Sequence, residues 1–408
     1  MVAVLLAGAA LAAPAAMAAS YTAFVVPIPA GFSSVVSGGV TPGTVSGYAF
    51  RNTGGTEAFR WDGNPASLTV TNLNPLTPPG SDSGAFGAGG SGSQIVGFAT
   101  PTGTLHAALW TTNASSFVDL QPVGADASTT SAAYATNGTT QVGVKTVLLP
   151  DGTFLRDGSS TTQDFATAWT GTAGSSITLP VSSTTLTPGG VWENSKALAI
   201  ATNGTIAGYG YDSAYGVRHA FLWSNGTTGA TVTDLDPGLG ATTTDSIAKG
   251  VDANHVVGDA VYVASGDTGL THHAVLWTVA SGGGVTTSIL PITSTYLSAN
   301  AYGVSGSLVV GSGVTVASPF LSPDHALVWE NLATSYPTDL HGLLPVGVYE
   351  SSVATSVDSN GVIFGYATLA SDPSVTQAVI WAPSTVPEPA TLGLLGLGVM
   401  GLLARKRR

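Results

Sequence analysis

The chain has 408 residues, contains no Cys and is acidic, with a formal net charge of −12 at pH 7. Four of the 11 Lys and Arg residues are the last four of the chain, 405–408, so the rest carries about −16 (−12 − 4). An acidic body excludes a nucleic-acid partner, which needs a basic surface, and the absence of Cys excludes disulfides and thiolate metal sites.

The N-terminal residues are typical of a secretory signal peptide. Val4 to Ala13 form a short apolar run, followed by small residues at Ala16 and Ala18 that suit the −3 and −1 positions of a cleavage site. We therefore predict a signal peptide over residues 1–18, removed by signal peptidase. The alternative is an uncleaved apolar N-terminus, and the lack of Lys or Arg before the run fits a truncated start.

Residues 21–384 form the body of the protein and contain seven repeats. Each repeat includes a short apolar stretch that ends in a Trp. The gaps between these Trp are 49, 59, 54, 54, 52 and 52 residues. The seven are Trp61, Trp110, Trp169, Trp223, Trp277, Trp329 and Trp381. Upstream of each Trp, a second apolar element carries a fixed glycine: Gly47, Gly97, Gly143, Gly208, Gly258, Gly311 and Gly365. With two further elements, each repeat contains four short β-type segments separated by turn residues.

Four-stranded repeats of this length predict an all-β fold, a seven-bladed β-propeller of four-stranded blades. A single antiparallel sheet cannot bury both faces, but stacking the next copy against it can. We expect the Trp to fill the space between adjacent sheets and the repeat glycine to let neighbouring blades approach closely. The alternative is an open β-solenoid.

The two ends of the repeat array favour a closed ring. The seventh repeat stops at Trp381 and has no fourth segment, whereas Thr22 to Ile28 precede the first repeat and resemble the missing segment. Pairing of this segment beside Gln377 to Trp381 would leave no incomplete sheet edge.

The HAFLW-type stretches resemble the HAF family of extracellular bacterial repeats. The motif His is present at His106, His219, His273 and His325, whereas Glu57, Phe165 and Gln377 replace it in the other repeats. The resemblance implies a repeat scaffold outside the cell and no known reaction. Repeat three also carries an insertion over residues 148–163, a candidate functional surface.

The sequence contains no recognisable catalytic or metal site. The repeat His residues occupy one equivalent position in different blades, so a ring would spread them apart, and we expect them to be structural. Asp252-x-Asn254 and Asp358-x-Asn360 resemble fragments of a calcium loop, but they lack further carboxylates and are better interpreted as Asx turns. We therefore expect no cofactor and no metal.

The C-terminal tail has three parts. Val386, Pro387, Glu388 and Pro389 form an extended handle, because two prolines prevent a helix there. Ala390 to Ala404 are apolar or small apart from one Thr, and as a helix these residues would span roughly 22 Å, which flanking basic residues can extend towards a full membrane span. Arg405, Lys406, Arg407 and Arg408 then orient the C-terminus towards the cytoplasm.

This tail closely resembles the PEP-CTERM sorting signal of Gram-negative bacteria over residues 386–408. The resemblance implies transient anchoring in the inner membrane, recognition by an exosortase, and release or attachment at the cell surface, in proteins linked to exopolysaccharide and biofilm. A permanent C-terminal anchor is the alternative. Three functions stay open for the propeller: a structural or interaction protein of the matrix with an extracellular polysaccharide as partner, a lectin-like glycan-binding module, and a polysaccharide-active enzyme.

Overall fold

The computed structural model describes residues 20–75, 81–149, 161–181, 192–212, 216–224, 230–236, 245–262, 271–280, 283–316 and 323–384. The predicted signal peptide and sorting tail lie outside these ranges, as does most of the repeat-three insertion. The strands form seven antiparallel four-stranded sheets. The predicted seven-bladed β-propeller of four-stranded blades is therefore confirmed.

Each blade takes its strands in chain order, except that the last blade also takes the first strand of the chain. That strand is β1 (Tyr21–Val25). Blade 1 contains β2 (Phe32–Thr41), β3 (Thr44–Arg51), β4 (Thr56–Asn64) and β5 (Ser67–Asn72). Blade 2 contains β6 (Ser83–Gly89), β7 (Gln94–Ala99), β8 (His106–Trp110) and β9 (Val118–Asp119). Blade 3 contains β10 (Thr130–Thr136), β11 (Gln141–Leu148), β12 (Thr162–Trp169) and β13 (Ile177–Thr178). Blade 4 contains β14 (Trp192–Ile200), β15 (Ile206–Asp212), β16 (Val217–Ser224) and β17 (Thr231–Asp234). Blade 5 contains β18 (Asp245–Val251), β19 (His255–Tyr262), β20 (Thr271–Val279) and β21 (Val285–Ile289). Blade 6 contains β22 (Tyr296–Ser305), β23 (Leu308–Thr315), β24 (Asp324–Trp329) and β25 (Thr338–Asp339). Blade 7 contains β26 (Tyr349–Val357), β27 (Ile363–Leu369) and β28 (Asp372–Pro383), with β1 as its outer strand.

The N-terminal strand closes blade 7, as the sequence predicts. β1 lies next to β28 in the sheet, and just beyond it the Val26 N–H donates to the Ala378 carbonyl oxygen at 2.8 Å. The Val26 side chain is fully buried in the core where blades 7 and 1 meet. The last blade therefore joins both ends of the repeat array.

The chain divides into two compact units, residues 23–382 and the terminal segments 1–22 with 383–408. The first unit contains the propeller core. In the second, the Ser384 N–H donates to the Ser20 carbonyl oxygen at 2.6 Å, and the Thr22 and Ser384 hydroxyl oxygens are 3.0 Å apart.

The first strands of the blades are the innermost. Each contacts the first strand of the next blade, from β2 to β6 onwards, and β26 contacts β2 to complete the ring. Each first strand also bulges opposite the repeat glycine, for example between Ala248 and Gly250 in blade 5. The residues that follow each bulge therefore change face relative to a regular strand.

The bulge explains the repeat glycine and corrects the reason expected for it. A Cβ on any of the seven glycines would lie 1.8–2.3 Å from a carbonyl oxygen of the first strand of the same blade. For Gly258 that oxygen belongs to Ile247, its neighbour within the sheet. The glycine is needed within its own blade, and the expectation that it serves the contact between blades was wrong.

Close approach between blades occurs instead at glycines of the first strands. A Cβ on Gly250 would lie 2.6 Å from the Tyr302 carbonyl oxygen of blade 6, and one on Gly87 would lie 2.6 Å from the Tyr134 carbonyl oxygen of blade 3. Small residues are needed here because the seven innermost strands converge on one axis.

The seven repeat Trp side chains are fully buried. From blade 4 onwards, the indole N–H also donates to a backbone carbonyl at the end of the preceding blade, as Trp277 does to Leu235 at 3.0 Å. The equivalent bonds join Trp223 to Pro180, Trp329 to Pro291 and Trp381 to Leu340. The Trp therefore both fills and fastens these junctions between blades.

A buried serine provides a second fastening, which was not predicted from the sequence. In blade 4, the N–H of Ala220, the residue after the repeat His, donates to Ser246 Oγ of blade 5 at 2.9 Å. The same bond joins Ala58 to Ser83, Ala107 to Ser131, Ala166 to Ser195 and Ala326 to Ser352. Ser246 itself is 1% exposed, so this bond is shielded from water.

Candidate ligand-binding channel

Two positions in each blade bring side chains together near the ring axis. One is the bulged residue of the first strand, and the other is the residue that follows the repeat glycine on the second strand. In most blades at least one of the two is aromatic. We call these side chains the aromatic belt: Tyr48, Phe86, Phe98, Tyr134, Tyr209, Tyr302 and Tyr366. All seven are partly exposed.

The aromatic belt is continuous across blades 1 to 3. The ring centroid of Phe86 lies 6.1 Å from that of Tyr48 in blade 1 and 5.6 Å from that of Tyr134 in blade 3. Phe98 of the same blade is 5.4 Å away. Contacts at these distances fix the orientation of each ring.

A lysine ion pair continues the belt between blades 3 and 4. Lys196 Nζ lies 3.0 Å from Asp164 Oδ2. Burial opposes the charge on the ammonium, but Tyr209 and Asp164 outweigh it and raise the pKa of Lys196. Burial in turn raises the pKa of Tyr209, so this phenol stays protonated and can donate a hydrogen bond.

A second lysine ion pair lies between blades 5 and 6. Lys249 Nζ is 2.6 Å from Asp259 Oδ1 and 4.5 Å from the ring centroid of Tyr302, an arrangement that combines an ion pair with a cation–π contact. Burial alone would raise the pKa of Asp259, but hydrogen bonds from His272 and Lys249 lower it. Burial raises the pKa of Tyr302 to about 12.

Blade 7 completes the belt. Burial raises the pKa of Tyr366, and nearby Tyr302, Asp324 and Tyr48 add to the effect, so the phenol of blade 7 lies near groups of blades 6 and 1. The belt therefore offers aromatic faces, neutral phenols and two internally paired lysines. Such a surface stacks on apolar ring faces and exchanges hydrogen bonds with hydroxyl groups.

The turns between first and second strands surround a separate cavity with a volume of about 540 Å³, to which all seven blades contribute. Its walls are linked from blade to blade. Asn137 Nδ2 donates to the Ala201 carbonyl oxygen and Asn203 Nδ2 donates to that of Ala253, both at 3.3 Å. We call this space the turn cavity.

The two calcium-loop-like segments form Asx turns in the wall of the turn cavity, as predicted. Asp252 Oδ1 accepts the Asn254 N–H at 2.9 Å, and Asp358 Oδ1 accepts the Asn360 N–H at 2.8 Å. Across the described part of the chain, no three His, Asp or Glu side chains come together in a way that could hold a metal ion.

The repeat His residues are distributed one to a blade. His106, His219 and His325 each place Nδ1 at 2.8 Å from a carboxylate on the fourth strand of the same blade, that of Asp119, Asp234 and Asp339 respectively. His273 lacks an Asp at that position, and its Nε2 lies 2.9 Å from Thr271 Oγ1.

The same position is also filled by linked pairs in blades without His. In blade 1 the Asn72 side chain donates to Glu57 at 2.6 Å, and in blade 7 the Tyr349 hydroxyl donates to Gln377 at 2.5 Å. The residues at the repeat-His position therefore each make a polar contact within their own blade, and they do not come together in a shared site.

Neither the aromatic belt nor the turn cavity was predicted from the sequence. The residues after the repeat glycine could have been noticed, since four of the seven are Tyr or Phe. Of the candidate surfaces that the sequence offered, the repeat-three insertion lies largely outside the described residues, as do Val386 to Pro389, the span from Ala390 to Ala404 and the basic residues 405–408. None of the helices within the described ranges could span a lipid bilayer.

Comparisons with known proteins agree on the tail and on the fold. Residues 385–408 match the model of the PEP-CTERM protein-sorting motif, and no curated protein matches the chain significantly. Among solved structures, the chain is similar to an oligogalacturonate lyase from Vibrio parahaemolyticus, at 11% identity and a TM-score of 0.50 over 91% of this chain and 98% of that one. It is also similar to prolyl oligopeptidase B from Galerina marginata, at 10% identity and a TM-score of 0.52 over 88% of this chain and 50% of that one. At these identities the likeness shows the fold alone, and the chain spans only half of the peptidase. The tail match implies export to the cell surface by way of an exosortase. The chain is therefore, by its fold and its tail, a β-propeller that carries a PEP-CTERM sorting motif.

Proposed function

We propose that the mature protein is an exported, non-enzymatic propeller that binds extracellular polysaccharide through the aromatic belt. Signal peptidase and exosortase would deliver it from the inner membrane to the surface or exterior of a Gram-negative cell. Its role there would be in the exopolysaccharide or biofilm matrix, in line with the resemblance of its repeats to the HAF family.

The observation that carries this proposal is the composition of the belt. Seven aromatic rings, on the first and second strands of the blades, contribute to this surface together with two Lys–Asp pairs, and each ion pair leaves little net charge. Sugar rings present apolar C–H faces to aromatic rings and hydroxyls to paired charges, so this surface suits a neutral glycan better than an anion or a purely apolar ligand. A glycan-binding role is therefore favoured over a purely structural one.

The repeat His and Trp residues have structural roles in this proposal. Each His is linked within its own blade, and each Trp is buried between blades. Neither the repeat His residues nor the repeat Trp residues can contact a ligand bound at the ring axis, where the first strands lie.

A glycan array tests the proposal, with the full chain purified in detergent as the probe. We expect binding to neutral oligosaccharides, and an affinity about tenfold lower for Tyr302→Ala, because one lost stacking contact is worth about 1.4 kcal/mol. Tyr336→Ala is the matched control, since Tyr336 lies outside the belt and is 66% exposed.

Three results would contradict the proposal. They are the absence of binding to any glycan, equal affinities for Tyr302→Ala and wild type, and an equal loss of affinity in Tyr336→Ala. Circular dichroism of each variant would confirm that the propeller stays folded.

A further inference from the structure

The junction between blades 3 and 4 contains a complete ion pair flanked by two phenols of the aromatic belt. Lys196 Nζ lies 3.0 Å from Asp164 Oδ2 across this junction. The ammonium also interacts electrostatically with Tyr209 of its own blade and with Tyr134 of blade 3. The protein therefore neutralises the carboxylate of this junction with a lysine of its own.

The junction between blades 6 and 7 repeats three of these four positions with the same residue types. Tyr302 is the bulged residue of its first strand. Asp324 directly precedes the repeat His of blade 6, and Tyr366 directly follows the repeat glycine of blade 7. These are the positions that Tyr134, Asp164 and Tyr209 hold at the first junction.

The two junctions differ at the fourth position. Val353 follows the serine of its first strand, as Lys196 does in blade 4, but the valine is shorter and uncharged. The chain has no Lys or Arg from residue 250 to residue 404, so blades 6 and 7 cannot supply another. Lys249 of blade 5 is already paired with Asp259.

Asp324 therefore has no cationic partner of its own. Among the described residues its carboxylate forms neither an ion pair nor a hydrogen bond. His325 lies on the opposite face of the strand and is bound to Asp339. Asp324 is partly exposed and thus accessible to a ligand, while burial still raises its pKa. A partly buried charge without a partner is costly, so a cation from a ligand would be stabilised here.

The carboxylate of Asp324 faces the aromatic belt. Ser312, the residue after the repeat glycine of blade 6, pairs with Ala326, and Asp324 lies two residues earlier on the same face. Burial is the largest cause of the raised pKa of Tyr302 and of Tyr366, and the charge of Asp324 adds to both. The carboxylate is therefore close to one phenol of each blade at this junction.

A carboxylate beside two aromatic rings suits an organic ammonium group. The carboxylate provides the opposite charge and a hydrogen-bond acceptor, and the ring faces attract cations. We propose that the belt binds a protonated amino group of its glycan at Asp324, beside Tyr302 and Tyr366. The ammonium group takes the place that Lys196 Nζ has at the junction between blades 3 and 4.

This inference rests on the proposed function of the belt and narrows its ligand to a polysaccharide that carries an amino sugar. Most of the sugar chain is neutral, as the paired charges of the belt require, and one unit has a free amino group. The glycan array tests the belt itself. The experiments for Asp324 compare two sugars that differ in one charge, so the two proposals can fail separately.

Calorimetric titration of the full chain in detergent tests the role of the ammonium group. The probes are the trisaccharide of N-acetylglucosamine and the same trisaccharide with one acetyl group removed. We expect the deacetylated form to bind at least about tenfold more tightly, because it alone has an ammonium group to pair with Asp324.

Two variants test the site. Asp324→Asn removes the negative charge, and Val353→Lys supplies the ammonium group that Lys196 provides in blade 4. Each should abolish the preference for the deacetylated trisaccharide, so that the ratio of the two affinities falls to about one. Asp372→Asn is the matched control, since it removes a carboxylate from an exposed turn of blade 7, and it should keep the preference of the wild type.

Thermal melts without ligand test whether Asp324 is unpaired. Asp324→Asn should not lower the melting temperature, because this carboxylate has no partner to lose. Asp164→Asn should lower it, because it leaves the ammonium group of Lys196 without its carboxylate. An equal fall in both variants would show that Asp324 already has a partner and would overturn the inference.

The inference is also overturned if neither trisaccharide binds, if removal of the acetyl group does not increase the affinity, or if Asp324→Asn retains the preference. Loss of the preference in Asp372→Asn would overturn it too, because the preference would then depend on the overall negative charge. Binding of neutral glycans without a preference for the amino form would contradict this inference and leave the proposed function standing.

Discussion

Replacing the repeat glycine of blade 5 by alanine should strongly destabilise the propeller. A Cβ on Gly258 would lie 1.9 Å from the Ile247 carbonyl oxygen, and Cβ atoms essentially never approach another heavy atom within 3.0 Å. The first and second strands would have to separate by about 1 Å in a close-packed interior. Because that oxygen is backbone, no side-chain rotation can relieve the contact.

We expect Gly258→Ala to lower the free energy of unfolding by about 3 kcal/mol or more, at the upper end of overpacking effects. In a thermal melt this corresponds to a melting temperature lower by about 5 °C or more. Gly284→Ala, in the same blade, is the matched control. A Cβ there meets no atom within 4 Å, so its melting temperature should not fall.

Hydrogen exchange separates a role of the repeat glycine within its own blade from a role between blades. Loss of protection in Gly258→Ala should begin in the β18–β19 pair, because the bulge is inside the blade. Protection lost first at the contact between blades 5 and 6 would instead support a role between blades. Equal melting temperatures for Gly258→Ala, Gly284→Ala and the wild type would refute the reasoning.

Two further predictions concern the ends of the chain. Deleting residues 21–29 removes the outer strand of blade 7 and the buried Val26, so the melting temperature should fall sharply and the exposed edge of β28 should promote aggregation in size-exclusion chromatography; an unchanged melting temperature would count against the latch. Replacing residues 387–389 by alanine should leave the propeller folded but full length in the inner membrane, as mass spectrometry of cell fractions can determine. Wild-type protein recovered outside the cell with residues 405–408 still attached would favour a permanent anchor.

The spacing of the Trp residues was sufficient to predict the number of blades and the closing strand. A buried Trp at a fixed place in each repeat reports the period of the structure directly, and the missing segment after Trp381 shows where the ring must close. The serine of the first strand carried a similar signal in five of the seven repeats, at Ser83, Ser131, Ser195, Ser246 and Ser352. Val35 and Ala299 occupy this position in blades 1 and 6.

The ligand-binding surfaces could not be predicted in the same way. Strand alternation assigns residues to faces only while the register is regular, and each first strand changes register at its bulge. Lys249, for example, is the extra residue between Ala248 and Gly250, so the pattern alone does not place it beside Tyr302.

The seven repeats, compared with one another, separate scaffold positions from binding positions. Trp and Gly are the same in every repeat because each blade meets the same packing demand. The residue after the repeat glycine is instead Tyr, Phe, Val, Tyr, Asp, Ser and Tyr in chain order. Packing around a ring of equal blades does not require that variety, and a ligand bound in one orientation does, because it meets a different chemical group at each blade. Polysaccharide recognition is therefore to be sought at this variable row, on the second strand of each blade, before any of the constant positions.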